Sequence, residues 1–207
     1  MKILFVHQNF PGQFKHLAPA LAADEANTVV ALTMMREAPG QWQRVRLVSY
    51  GATRSSSRNV HPWVADLETK VIRGEASLQA ALRLRADGFT PDVIIVHPGW
   101  GEGLFLKDVW PTARLGMYCE LFYQSVGADV GFDPEFAATD AHDESRIRIK
   151  NVNNLLHMQV ADGGLAPTTW QASTFPASFR SRIAVVHDGI DTQRVAPRDD
   201  VSMLLKT

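Results

Sequence analysis

Several loops carry side chains able to do chemistry, and each follows an apolar run. The clearest run is Val93-Ile94-Ile95-Val96, followed by His97-Pro98-Gly99-Trp100-Gly101-Glu102-Gly103. A proline holds the residue before it extended, so His97 is expected to project from a strand end. Three glycines in five residues imply close backbone approach to something. Trp100 offers a face for a sugar ring, and Glu102 a carboxylate for a hydroxyl. A glycine-rich turn around a packed tryptophan would read the same way. The first loop of the chain is His7-Gln8-Asn9-Phe10-Pro11-Gly12-Gln13. Gly12 would let the backbone meet a ligand at a helix start, where free N–H groups favour an anion. An ordinary βα turn fits this loop equally well.

A third segment is Cys119-Glu120-Leu121-Phe122-Tyr123. A carboxylate at the end of a buried strand is costly unless it is paired or used. Glu120 is therefore either satisfied by a backbone N–H or an arginine, or functional. Cys119 reads as a small buried hydrophobe. The fourth segment, Val186-His187-Asp188-Gly189-Ile190-Asp191, has the form of an exit turn. Asp140-Ala141-His142-Asp143 carries metal-capable groups but sits in an acidic stretch, 127–144, that includes Asp129, Asp133 and Glu135. No G-x-S-x-G elbow, P-loop, H-E-x-x-H or G-x-G-x-x-G pattern occurs.

These loops need elements to hold them. Ile3–Val6, Thr28–Leu32, Arg44–Tyr50, Asp92–His97, Arg114–Leu121, Gly164–Thr168 and Ile183–His187 read as strands, several apolar throughout, as in a sheet covered on both faces. Phe14, Leu17, Ala18, Leu21 and Ala22 recur at helical spacing, as do Leu67, Val71, Leu78 and Leu82. Arg146–Ala161 is expected to be one helix facing inward through Ile149, Val152, Leu156 and Val160. Gly103–Trp110 reads as a short helix, and Thr169–Phe179 as a helix broken near Pro176. Alternating βα units imply a Rossmann-like, doubly wound, mostly parallel sheet of about seven strands, with helices on both faces. In such sheets ligands bind beyond the carboxyl ends of the strands, where the four segments fall.

Composition narrows the class. The 207 residues include 21 Lys+Arg, 22 Asp+Glu and 7 His, for a formal net charge of -1, with 45% hydrophobic and 21% charged residues. Disordered and fibrous classes are excluded. The balanced charge argues against a nucleic-acid partner. One cysteine excludes a disulfide framework and a four-cysteine zinc site. No run approaches the length of a membrane span, so a cytoplasmic protein is expected, with contact at the inner membrane face left open.

Three stretches carry a resemblance: Met1–His7 with its Pro-Gly loop, Asp92–His97, and Ile183-Ala184-Val185-Val186-His187-Asp188-Gly189-Ile190-Asp191. In order and spacing they resemble family 4 (group 1) glycosyltransferases, with Asp188 where that family usually has Asn. The stretch His97–Gly103 also resembles a bacterial subgroup. The resemblance spans residues 1–195 and implies the acceptor-binding, N-terminal half of a GT-B enzyme, with 196–207 as a linker into a C-terminal donor-binding domain. It further implies a retaining hexosyltransferase that takes a nucleotide sugar as substrate, with no tightly bound cofactor and no metal. Its partners would be a sugar or lipid-linked acceptor and that second domain. The half domain is expected to be inactive alone and able to dimerise through an exposed hinge face that includes Trp100, Phe10 and Phe132.

On this resemblance Gly12 lies near the donor diphosphate, His97 near the acceptor, and Glu120 where many relatives have a histidine close to the reacting sugar. Glu120 and His97 are the candidate catalytic residues. Gly12, Asn9, Phe10, Gly99, Trp100, Gly101 and Glu102 are the candidate substrate-binding ones. His7, Gly12, His97, Gly101 and Glu120 are expected to converge on one sheet edge. Two alternatives remain: half of a GT-B nucleotide-sugar epimerase, and a Rossmann-like binding module without catalysis.

Overall fold

The computed structural model describes residues 1–35, 40–128, 130–133, 135, 140–198, 200 and 202–204. Asp129 and part of the expected linker lie outside the described residues. The strands are β1 (Lys2–Val6), β2 (Thr28–Thr33), β3 (Gln41–Trp42), β4 (Val45–Ser49), β5 (Val93–Val96), β6 (Arg114–Tyr118), β7 (Gly163–Ala166) and β8 (Ile183–Val185). They form one sheet in the order β3-β4-β2-β1-β5-β6-β7-β8. Every pairing is parallel except β3 with β4. The expected strands are therefore found, with the short antiparallel β3 added at one edge. The added pair turns through Gln43 and Arg44, both at positive φ, which shortens the strand expected from Arg44 to Val45–Ser49.

The helices are α1 (Leu17–Ala23), α2 (Ala65–Ala86), α3 (Leu106–Val109), α4 (Asp143–Lys150), α5 (Val152–Val160), α6 (Thr169–Thr174) and α7 (Ala177–Arg180). They are shared unequally between the faces. Ala80, Ala81 and Leu84 of α2 pack with Leu106, Val109, Met158, Ala172 and Phe179 against one face, in a core with Leu4, Val6, Ile94 and Leu115. The other face carries α1, through Ala18 and Ala22, together with Phe5, Phe10 and Phe14. The sheet between α1 and β8 is open on this side. An apolar cavity of about 620 Å³ lies there, bounded by Leu17, Ile95, Gly116, Gly163, Leu165 and Val186. This accounts for Leu17, which was expected in the core but is 44% exposed.

The expected helix Arg146–Ala161 is divided at Asn151 into α4 and α5, and its phase differs from the expected one. Ile147, Asn153, Asn154, His157 and Met158 face inward, while Leu155 and Leu156 are exposed. The inward polar side chains do not lie bare. Asn153 Nδ2 donates to the Pro98 carbonyl at 2.8 Å, and Asn154 Nδ2 to the Leu121 carbonyl at 3.1 Å. Asn151 receives the Tyr123 N–H at 3.0 Å and donates to the Tyr123 carbonyl at 2.8 Å. A buried loop carbonyl without a partner costs about 1–3 kcal/mol, which is why this stripe is polar. Helix α5 thus holds the loops that leave β5 and β6.

Candidate functional site

The sheet order reverses between β1 and β5, where successive connections run toward opposite edges. Such a switch point opens a crevice at the carboxyl ends of its two strands. His7 follows β1 and His97 follows β5 in adjacent register, and their rings stand edge to face with centroids 5.3 Å apart. His97 is extended, at φ −87 and ψ 111, as its Pro98 neighbour demands. The loop after β6 brings Glu120 to the same place.

Backbone donors fix both imidazoles. The Gly99 N–H donates to His97 Nδ1 at 3.2 Å, so Nε2 carries the proton and donates to Glu120 Oε2 at 3.0 Å. The Asn9 N–H donates to His7 Nδ1 at 3.1 Å, so His7 Nε2 donates to Gln13 Oε1 at 2.8 Å. Gln13 Nε2 in turn donates to Glu120 Oε1 at 3.5 Å. Two relays therefore run from backbone amides through imidazoles and end on one carboxylate. The His97 hydrogen bond holds the Glu120 carboxyl below its ordinary range, outweighing partial burial. Burial, with His97 nearby, lowers the His7 imidazole. His97 is itself seated in aromatic rings, with Tyr118 stacked at 5.5 Å and Trp100 at 6.4 Å.

His7, Asn9, Gly12, Gln13, Lys15, His97, Trp100, Glu120, Asp188 and Gly189 line a cavity of about 520 Å³. Of the expected convergence, His7, Gly12, His97 and Glu120 do meet. Gly12 sits at φ +47, and a Cβ there would enter the His7 ring, so glycine is needed for the histidine first. The turn it opens, Gly12–Phe14, is a single 3-10 turn, and α1 begins at Leu17. The anion-binding helix start expected at Gly12 is corrected accordingly.

Other candidates are placed elsewhere. Phe10 is buried between Phe5 and Trp42, so it serves the core and neither the ligand nor an exposed hinge patch. Gly101, at φ +96, lies against the Lys70 backbone of α2, and a Cβ on Gly103 would stand 2.6 Å from His157 Nε2. The glycine run thus allows close approach to helices, and Gly99 serves through its amide. Glu102 has no exposed surface. It faces Tyr50, Arg73 and His97 in the interior, and burial pushes its carboxyl up to about 7. It cannot take a substrate hydroxyl from the cavity. Trp100 lines the cavity, with the Arg73 guanidinium 5.8 Å from its ring.

Cys119 is buried, and burial pushes its thiol up to about 12. His157 is enclosed with Nδ1 on the Asn153 carbonyl. Asp140 accepts from both the backbone and the ring of His142 in a local turn before α4. Among the described residues no three His, Cys, Asp or Glu side chains gather as a metal site requires, and no helix is long and apolar enough to cross a membrane. Sequence reasoning overlooked Gln13, Tyr118 and the asparagines of α5. Gln13 sits one residue past Gly12 and had no motif to flag it.

Comparison with solved structures shows the same fold at low identity. UDP-N-acetylglucosamine 2-epimerase aligns over 98% of this chain and 52% of its own, at 16% identity and TM-score 0.51. Sucrose-phosphate synthase from Thermosynechococcus elongatus aligns over 94% of this chain and 93% of that one, at 14% identity and TM-score 0.53. Os79 from O. sativa, solved with UDP, aligns over 89% and 51%, at 10% identity and TM-score 0.52. The chain spans about half the length of the epimerase structures it matches. No curated protein matches it. The glycosyl transferase family 4 group matches residues 25–195, most of the sheet and three of the four loops that carry the candidate chemistry. The chain belongs to the glycosyl transferase family 4 group.

Proposed function

We propose that this chain is the acceptor-side half of a retaining glycosyltransferase, which moves a sugar from a nucleotide-sugar donor to a glycan, lipid or small-molecule acceptor. The observation that carries the reading is the double relay onto Glu120 in a cavity at the switch point, in a chain of this family. Glu120 stays ionised, is half exposed, and is held from two sides. It is suited to accept and orient a hydroxyl, and orientation is a large part of such catalysis. Both imidazoles spend Nδ1 on backbone N–H groups and Nε2 on side-chain acceptors, so their work is positioning.

The cavity bears Glu120 and Asp188 against Lys15. That balance favours neutral sugar hydroxyls over a diphosphate, so stabilisation of the leaving diphosphate falls to residues outside this cavity. The chain alone is expected to bind its acceptor without turning it over. A second reading, half of a nucleotide-sugar epimerase, has support from the fold likeness to UDP-N-acetylglucosamine 2-epimerase.

The test is an amide NMR titration of the 207-residue chain with neutral mono- and oligosaccharides and, separately, with UDP. Saccharide shifts confined to residues 9–13, 97–101, 120–121 and 188–189, lost in Glu120→Gln, are expected. Shifts there with UDP and none with any saccharide would overturn the acceptor reading. In an enzyme holding both domains, a new glycosidic bond supports transfer, and C2 inversion of UDP-N-acetylglucosamine without one supports the epimerase.

A further inference from the structure

Beyond β8 the chain leaves the sheet. The Val186 N–H still pairs with the Ala166 carbonyl at 2.9 Å. From His187 to Arg198 the hydrogen bonds are local: Gly189 N–H to His187 Nδ1, the Gln193 and Arg194 N–H groups to Asp191, and the Val195 N–H to the Asp191 carbonyl. One bond is different. The Tyr118 hydroxyl reaches both carboxylate oxygens of Asp188, at 2.8 and 3.0 Å. Among the described residues this is the one side-chain hydrogen bond between that exit segment and the body of the domain.

Tyr118 is well placed to pass this contact on. It ends β6, is 4% exposed, and stacks on the His97 ring at an interplanar angle of 26°. Phe14 meets its edge at 6.1 Å and also meets His7. Asp188 and Gly189 line the same cavity as His97 and Glu120. Gly189 is at φ +82, so the chain turns sharply just after the tether. Where Asn would present one acceptor oxygen, Asp188 presents two, plus a charge, and a hydroxyl bound to a carboxylate makes a stronger bond.

We propose that Tyr118 and Asp188 form a latch that fixes where the chain exits the domain and ties that exit to the orientation of His97. Tyr118 is a positioning residue, acting on Glu120 through His97. When the exit turn moves, the Tyr118 ring is released, and the ring stacked on it is freed with it. The consequence for sugar transfer rests on the proposed glycosyltransferase reading, whereas the latch is a property of the 207-residue chain.

The experiment compares wild type, Tyr118→Phe, Asp188→Asn and the double variant by amide hydrogen exchange and by the NMR shifts of the His97 ring, with Asp191→Asn as control. Exchange at the hydrogen-bonded Val186 and Gly189 amides is expected to rise on the order of tenfold in Tyr118→Phe, as for loss of one charge-assisted bond, and by less in Asp188→Asn, whose remaining amide oxygen still accepts. The double variant should be no faster than Tyr118→Phe alone. The His97 ring shifts, which sense the stacked Tyr118 ring, should move in Tyr118→Phe and Asp188→Asn and stay put in Asp191→Asn, with thermal unfolding of all variants near wild type. Unchanged exchange at Val186 and Gly189 in Tyr118→Phe, or unmoved His97 ring shifts, overturns the latch. These readouts need no substrate, so a failure to transfer sugar would count against the catalytic reading and leave the latch standing.

Discussion

Glu102 gives the most quantitative test of the fold. Its side chain has no exposed surface, and burial raises its carboxyl from an ordinary 4.5 to about 7 in the folded chain. Tyr50 at the end of β4, Arg73 on α2 and His97 at the end of β5 face it. The folded state therefore holds a proton that the unfolded chain gives up earlier. The Glu102 contribution to stability is full below about pH 4.5 and is lost as pH rises through about 7, by about 3 kcal/mol at about 1.4 kcal/mol per pH unit. His157 works in the opposite sense: burial lowers it from 6.5 to about 4, so its contribution is present above pH 6.5 and is lost as pH falls through 4. The two slopes oppose each other between about pH 4.5 and 6.5, and the wild type hides both. Glu102→Gln removes one while keeping the shape of the protonated acid. Urea unfolding of both proteins between pH 4.5 and 8 should show the variant gaining about 3 kcal/mol relative to wild type, most of it before pH 7. A difference that does not change with pH would refute the burial of an acid at this position.

Other outcomes follow from single contacts. Gly12→Ala, at φ +47 and against the His7 ring, should cost about 1–3 kcal/mol in thermal unfolding and displace the His7 signals, and a neutral result would contradict the packing of that loop. Asn153→Ala should cost about 1–3 kcal/mol by leaving the Pro98 carbonyl bare, while Leu156→Ser on the exposed side of α5 should stay within about 0.5 kcal/mol. The reverse ranking would restore the apolar phase expected from sequence. His97→Phe should raise the Glu120 carboxyl, whose largest lowering influence is the His97 hydrogen bond, as read by carboxyl-carbon NMR titration, and an unmoved Glu120 would break the relay.

The architecture was legible because parallel strands covered on both faces write long apolar runs, and β1, β2 and β5 do so. The short β3 was not, since two residues carry no period. The site was legible at its strand ends: His7, His97 and Glu120 could be placed together because loops after β1, β5 and β6 must share one edge. What defeated the sequence was buried polarity. In α5 the apolar Leu155 and Leu156 face solvent while asparagines face in, because the partners of Asn153 and Asn154 are backbone carbonyls more than thirty residues away in sequence. Hydrophobic periodicity cannot see a carbonyl. The glycines misled for a related reason. Gly101 and Gly103 do mark close approach, but the approaching bodies are Lys70 and His157.

Two carboxyl groups beside one histidine are pushed in opposite directions, Glu120 down and Glu102 up. Glu120 is half exposed and hydrogen-bonded to His97 Nε2, which keeps it anionic. Glu102, on the loop that follows His97, is enclosed with Tyr50 and Arg73, and burial pushes its carboxyl up to about 7. Environments that push two acids apart in this way are how a fold assigns different work to like groups. An ionised Glu102 would place a second negative charge near the same imidazole and compete for its polarisation. Below about pH 7 its neutral form predominates, and the Nε2 proton is left to Glu120 at the cavity wall.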